Sequence, residues 1–442
     1  MANRMRISVV CGFLAAPALG QCLEQRLQSP SPIDYGRFGA VVQMNEHGLF
    51  VADWTGVMRV YGRNGAGRWV EHQAIRPADG SVISAACLDS DRLIVGDPFS
   101  DLGGIETGGA YIFDFDGEQW RETGQIAPVE PGWRHEFASA VAIRGNVAIV
   151  GQGIRDLAWV YEETPSGWEF REKLEAPDDP PVNSSFGGRL AMDGGWLFVS
   201  AAFDRSVAPN GGAVYVYQRG PGAELTFTQK LVAPDVAAGP RFGISLALAG
   251  NVLAVGGNIS YRLTEGQGAV YIHELRGDRW QLTQELTHDD PVGIDRFGNT
   301  LDLAGSMLAI GAPTQPTPVG YGAAYLFVGD SAGSWRQRAK LMPDRWSYEF
   351  GGRLATDGRS IGVGAWGEPV GAFVQAGAAY VFELGCILCR VDLDVDGALT
   401  LFDFLRFFNL FAAGDLAADF DGDGALTLFD FLLFQDEFAA RC

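Results

Sequence analysis

The feature that most constrains how this chain folds is a dipeptide that keeps returning. Phe-Gly or a near variant stands at Phe38-Gly39, Phe137-Ala138, Phe186-Gly187, Phe242-Gly243, Phe297-Gly298 and Phe350-Gly351. The first gap, 99 residues, is about twice the others, and Ser84-Ala85-Ala86-Cys87 fills the missing place without Phe-Gly. Seven units of about 50 residues therefore run from about residue 31 to residue 385. Self-similarity at this period marks supersecondary units that are each too small to bury their own apolar face and must pack on neighbours.

Each unit reads as four short strands. An alternating stretch such as Ser245-Leu246-Ala247-Leu248 leads through a turn at Gly250-Asn251 to an apolar run, Val252-Leu253-Ala254-Val255-Gly256. A variable Gly-rich loop follows, then a third strand such as Gly268-Ala269-Val270-Tyr271-Ile272. A tight turn opens the fourth strand at Trp69, Trp120, Trp168, Trp280 or Trp335, with Phe227 standing in once. Because the Trp recurs in nearly every unit, it reads as core packing rather than recognition. Four strands per unit predict a seven-bladed β-propeller: a β-solenoid needs a shorter repeat, and a helical solenoid needs a 3.6-residue period that is absent. These residues resemble the FG-GAP family of repeats in the form found in bacterial exported proteins, and Gly311-Ala312-Pro313 keeps the second half of that name. Integrin-type members carry an Asp-rich calcium loop between their second and third strands. Loops 258–267 and 314–321 lack that spacing, so most blades are expected to hold no calcium.

The last unit runs out at Tyr380-Val381-Phe382-Glu383-Leu384, one strand short. The segment Cys22-Leu23-Glu24-Gln25-Arg26-Leu27 looks like the fourth strands elsewhere, so a strand borrowed from the N-terminal segment is expected to close the ring and hide two sheet edges. This alignment puts Cys22 and Cys386 across one hairpin mouth and predicts a bridge between them; Cys386 with Cys442 is the competing pairing. Cys87 takes the place of Ala142 and Ala191 in other units and reads as a small core residue.

After residue 385 the composition changes to eleven carboxylates against three arginines. Two stretches 27 residues apart place Asp392, Asp394, Asp396 and Asp403, then Asp419, Asp421, Asp423 and Asp430, at loop positions 1, 3, 5 and 12. Glycine falls at position 6 and Thr at position 9, and the carbonyls of Ala398 and Ala425 face inward at position 7. That spacing wraps oxygen ligands around a hard cation and predicts two calcium ions. The short duplication, with Asp rather than Glu at position 12, resembles a dockerin. Apolar residues then cover more than one face of two short helices, which marks either an interaction surface or packing on the propeller. Cys389 and Cys442 flank the module and are expected to pair as its clasp.

The chain is therefore expected to be mainly β, with a seven-bladed β-propeller over 21–385 and a small α-helical dockerin-like calcium-binding domain over 386–442. Arg4, Arg6, an apolar run and Ala18-Leu19-Gly20 read as a signal peptide over 1–20, giving bacterial-type export to the medium or the cell surface. With 33 basic against 54 acidic residues and no basic stripe, nucleic acid is not an expected partner. Five scattered histidines and the absence of nucleophile-elbow, zincin and phosphate-loop motifs argue against an enzyme. Trp54 and Trp366 lie in second-to-third-strand loops of the first and last units, and Trp346 in the loop entering the last; Trp133 matches it before the third. Near one seam Trp54, Trp346 and Trp366 are candidate ligand-binding residues for a glycan or an extended protein, the alternative being local plugs. The expected function is a non-catalytic propeller that binds an extracellular protein or glycan, with a tail that docks to a cohesin-like or envelope partner. A dockerin-bearing carbohydrate-active enzyme is the alternative, and a purely structural envelope protein the third reading.

Overall fold

The computed structural model describes residues 23–178, 183–221, 223–234, 241–257, 267–291, 293–384, 391, 393, 400–415, 418, 420 and 425–440. Two compact units emerge, residues 23–388 and residues 389–442.

In the larger unit, period-two alternation makes antiparallel meanders. Strands β2 to β5 (Val41–Asn45, Gly48–Ala52, Met58–Arg63, Trp69–Ile75) form one four-stranded sheet, and β6 to β9 (Ala85–Asp89, Arg92–Asp97, Gly109–Phe115, Trp120–Ile126) the next. β10 to β13 (Ala140–Arg144, Val147–Gln152, Leu157–Thr164, Gly167–Leu174) and β14 to β17 (Phe186–Asp193, Trp196–Ala201, Ala213–Arg219, Leu225–Leu231) repeat the order. So do β18 to β21 (Ser245–Ala249, Val252–Gly257, Ala269–Arg276, Arg279–Leu286). Each apolar cluster of the core straddles two successive sheets, as with Val160 and Leu174 against Phe186, Leu197 and Val199. The core is therefore distributed around the ring between blades.

The expectation of seven blades is corrected by the sheet topology. Five blades stand as separate four-stranded sheets, not seven. The remaining strands join in one eight-stranded sheet: β22 to β25 (Thr300–Ala304, Met307–Thr317, Gly320–Gly329, Trp335–Leu341), β26 to β28 (Ser347–Thr356, Ser360–Ala365, Ala378–Glu383) and β1 (Leu23–Leu27). The cause is local. Elsewhere the Phe of one repeat makes a single parallel bridge to a glycine of a neighbouring one, as in Phe38 with Gly377, Phe137 with Gly108 and Phe242 with Gly212. At Phe350 the bridge to Gly322 gains a second rung, Gly320 with Ser347, and becomes a parallel ladder between β24 and β26. The stretch 314–321, expected as a loop, is here a hairpin with Pro316 opposite Tyr321.

These close approaches explain Phe-Gly itself. Phe350 is fully buried, and Gly351 turns at φ +81°, where a Cβ would stand 2.3 Å from the Ala323 carbonyl oxygen. Trp69, Trp120, Trp280 and Trp335 are buried, Trp120 edge-on to Phe50 and Trp280 edge-on to Phe198 across the blade junction. A glutamine on the preceding outer strand clasps each Trp backbone. Gln73 Nε2 donates to Trp120 O at 2.8 Å and its Oε1 accepts from Trp120 N–H at 2.9 Å. Gln229 does the same for Trp280 and Gln284 for Trp335.

The borrowed strand obeys the same rule. β1 runs antiparallel to β28, with Leu27 opposite Ala379, and Gln25 clasps Trp69. Arg26 Nε donates at 2.8 Å to Glu368, whose other oxygen accepts from the Tyr380 hydroxyl at 2.7 Å.

The smaller unit holds helix α1 (Leu401–Ala413) and helix α2 (Leu428–Ala440). Thr400 and Asp403 form a capping box on α1, and Gly414, left-handed, ends it. The two helices meet through Phe407 and Phe434, stacked 4.2 Å apart.

Candidate functional site

Three places carry the chemistry of the chain, and the first and third hold residues singled out from the sequence. The first is the seam between the first and last repeats. Loop 35–38 is bonded along loop 374–376: Tyr35 N–H donates to Val374 O at 2.8 Å, Arg37 N–H to Gln375 O at 3.0 Å and Phe38 N–H to Ala376 O at 2.8 Å. Trp54 N–H joins the same loop at Gly36 O. The Arg37 guanidinium lies 3.6 Å from the Trp54 ring centroid and 4.8 Å from that of Trp366, so one cation brings both tryptophans together. Trp54 stays 49% exposed and Trp366 is half-buried. Trp346 is 57% exposed, and no ring contact joins it to that pair among the described residues. Trp133 lies beside Arg134, 4.8 Å from its guanidinium. Sequence reasoning missed Ile33, Tyr35, Phe373 and Val374, which are exposed on the two seam loops and extend the apolar surface beside Trp54. Their signal was available: bulky apolar side chains in the two loops that ring closure must bring together.

The second place is a set of buried tyrosines that come nearest to a catalytic constellation. Tyr215 donates to Asp178 at 2.6 Å and shares Asp204 at 2.8 Å, while Lys230 reaches Asp204 at 2.9 Å. Burial pushes both carboxyls up, but hydrogen bonds outweigh it and hold them below the usual range: Lys230 and Tyr215 at Asp178, and Ser206, Lys230 and Tyr215 at Asp204. Tyr325, Asp290 and Lys340 repeat this strut, with His288 held between Asp290 at 3.0 Å and Asp295 at 2.8 Å. Both Asp178 and Asp204 are ionised and already bonded to a cation, which suits them to tying loops to strands rather than to transferring protons.

The third is the helix pair. Asp403 and Asp430 are fully buried, and each draws its loop shut with both oxygens. Asp403 accepts from Leu393 N–H and Thr400 N–H, both at 2.8 Å; Asp430 accepts from Phe420 N–H at 2.7 Å and Thr427 N–H at 2.6 Å. Each carboxylate thus fixes loop positions 2 and 9 around itself. Asp392, Asp394, Asp396, Ala398, Asp419, Asp421 and Asp423 lie outside the described residues, as do Cys22, Cys386, Cys389 and Cys442. Ala425 is described, at the start of the run into α2. On the outer faces Leu401, Phe402 and Leu405 of α1 recur 27 residues later as Leu428, Phe429 and Leu432 of α2, all between 45% and 71% exposed.

Cys87, expected as a small core residue, is half-buried on β6 facing the central channel, and burial pushes its thiol up to about 11.

The fold is that of a β-propeller, and part of it matches a known repeat. The FG-GAP repeat family matches residues 225–273 and 280–327, that is β17 to β20 and β21 to β24, each a fourth strand followed by the next three. Among solved structures the chain is similar to the Kuenenia stuttgartiensis hydrazine synthase, with a TM-score of 0.52 and 13% identity, covering 81% of this chain and 98% of that one. At that identity the likeness speaks to the fold alone. No curated protein sequence matches the chain. Among the described residues no helix is long and apolar enough to cross a membrane.

Proposed function

We propose that this chain is an exported, non-catalytic interaction protein. Its propeller binds an extracellular protein or glycan at the Trp54–Trp366 seam. Its dockerin-like tail folds around two calcium ions and docks to a cohesin-like or envelope partner. The observation that carries the reading is the duplicated apolar face, Leu401, Phe402 and Leu405 against Leu428, Phe429 and Leu432, exposed on a helix pair that already has an aromatic core of its own. Exposed apolar surface of that kind marks a protein interface. Asp403 and Asp430 support the calcium part, because each closes a loop whose other carboxylates repel one another until a cation neutralises them.

The test is surface binding of the full chain to cohesin-type receptor domains and to isolated envelope material, in calcium and in chelator. Calcium-dependent binding should weaken at least tenfold in the double variant Phe402→Asp/Phe429→Asp, whereas either single change should cost less because the related face remains. Binding that survives the double change unaltered would remove the tail from the docking role. Release of reducing ends from polysaccharide by the purified chain would favour the alternative, a glycan-active enzyme.

A further inference from the structure

Two of the Phe-Gly repeats share more than the dipeptide. Phe186-Gly187-Gly188-Arg189-Leu190-Ala191 and Phe350-Gly351-Gly352-Arg353-Leu354-Ala355 are the same hexapeptide, and no other repeat has an arginine at that place. The corresponding residues include Val41, Ala85, Ala140, Ser245 and Thr300, each paired with the second strand of its own repeat. Arg189 is passed over where the register shifts between Phe186 and Leu190, and Arg353 pairs with Gly364 directly after a shift from Phe350. A bulge of this kind bends a strand and re-aims a side chain.

Both side chains line a single cavity of about 440 Å³ enclosed by the innermost strands. Each guanidinium makes one hydrogen bond, to the carbonyl of the residue before it: Arg189 Nη1 to Gly188 O and Arg353 Nη1 to Gly352 O, both at 2.8 Å. Neither forms an ion pair among the described residues. Four of the five N–H donors on each remain for something else. The two charges also feel one another. Burial and then repulsion from Arg189 push the half-buried Arg353 down to about 10, while Arg189 reaches solvent within the channel. The only acid acting on Arg353 is Glu349, whose own carboxyl is raised, first by burial. Hydroxyls of Ser245 and Thr300 on the same ring are already donated to Gly298 O and Gly351 O.

Two like charges that line one cavity, neither ion-paired among the described residues, repel each other until an anion joins them. We propose that the propeller channel is an oxyanion site in which Arg189 and Arg353 together grip one small tetrahedral oxyanion, phosphate or sulfate, free or carried on a slender ligand. Paired guanidinium forks match the geometry of such a group, and the cavity volume admits it. The site is independent of the seam and the tail.

The experiment is calorimetric titration of the full chain with inorganic phosphate, inorganic sulfate and glucose 6-sulfate, each against sodium chloride of equal ionic strength. Saturable heat at about one equivalent is expected, with a rise of roughly 2 °C or more in melting temperature at saturation. Tighter binding of glucose 6-sulfate than of either inorganic ion assigns the group to a carrier; the reverse assigns a free ion. Arg353→Lys keeps the charge but loses the fork and should weaken binding at least fivefold, and Arg189→Gln/Arg353→Gln should abolish it. Heat and melting temperatures no different from chloride for all three probes overturn the proposal, as does full binding by the double variant.

Discussion

Asp302 lies on β22 against the channel and accepts a 2.6 Å hydrogen bond from Thr356 N–H. Burial pushes its carboxyl up to about 6 despite backbone bonds from Thr356 and Leu303. The folded chain therefore holds a proton that the unfolded chain has released by about pH 4. Stability attributable to this group falls as pH rises from about 4 to about 6 and stays lower above. Asp302→Asn keeps an acceptor for Thr356 without the charge. It should stabilise the chain by about 1–2 kcal/mol at pH 7.5, allowing for channel water, and by nothing near pH 4. Denaturant midpoints at the two pH values check this; an equal effect at both sinks it. At this scale the sequence is legible only in part. Phe38 and Trp120 announce themselves because they recur, and both are buried. Asp302 does not, since Thr300-Leu301-Asp302-Leu303 alternates like any strand with one face in water. Only ring closure turns that face towards a channel.

Among elements, β1 was readable because Gln25-Arg26-Leu27 copies the outer strands, down to the glutamine that clasps Trp69. Its further task was not readable. Glu368 is fully buried, and Arg26, 13% exposed, bonds to it from a position about 340 residues away. Arg26→Ala leaves that carboxylate without its cation and should cost about 3–5 kcal/mol. Adding Glu368→Gln should recover much of the loss, because the amide still accepts from Tyr380 and carries no charge. Thermal unfolding of the two variants measures both steps, and an Arg26→Ala protein as stable as the parent would show that β1 is held by its ladder alone. The joined eight-stranded sheet escaped the sequence for a similar reason. The extra rung depends on how Gly320 and Gly322 let the chain approach Ser347 and Phe350, and glycine at those places looks like any loop glycine. At Gly322 a Cβ would meet Phe350 O at 2.2 Å.

For the molecule as a whole, the repeat predicted a propeller, and five separate blades with one joined sheet are what form. The smaller unit has a core of its own in Phe407, Phe420 and Phe434. What cations the loops hold is a matter of ligands, and it has a whole-molecule consequence. If two calcium ions hold the tail, chelation should unfold α1 and α2 while the propeller keeps its protection. Hydrogen exchange of the intact chain should then show residues 400–440 losing protection by at least tenfold in chelator, with β7, β8, β11 and β15 unchanged. Equal exchange in calcium and chelator would remove the metal from the folding of the tail. The closing strand, finally, sets an order of events. Leu23–Leu27 is made before every other strand, and its partner Ala378–Glu383 about 350 residues later. Until then a nascent chain is an open arc with a bare edge at each end, and the entropy of bringing those ends together is met only once β28 is made. Completion of the ring thus waits for β28, so chains that stop before Glu383 keep bare strand edges open to proteases.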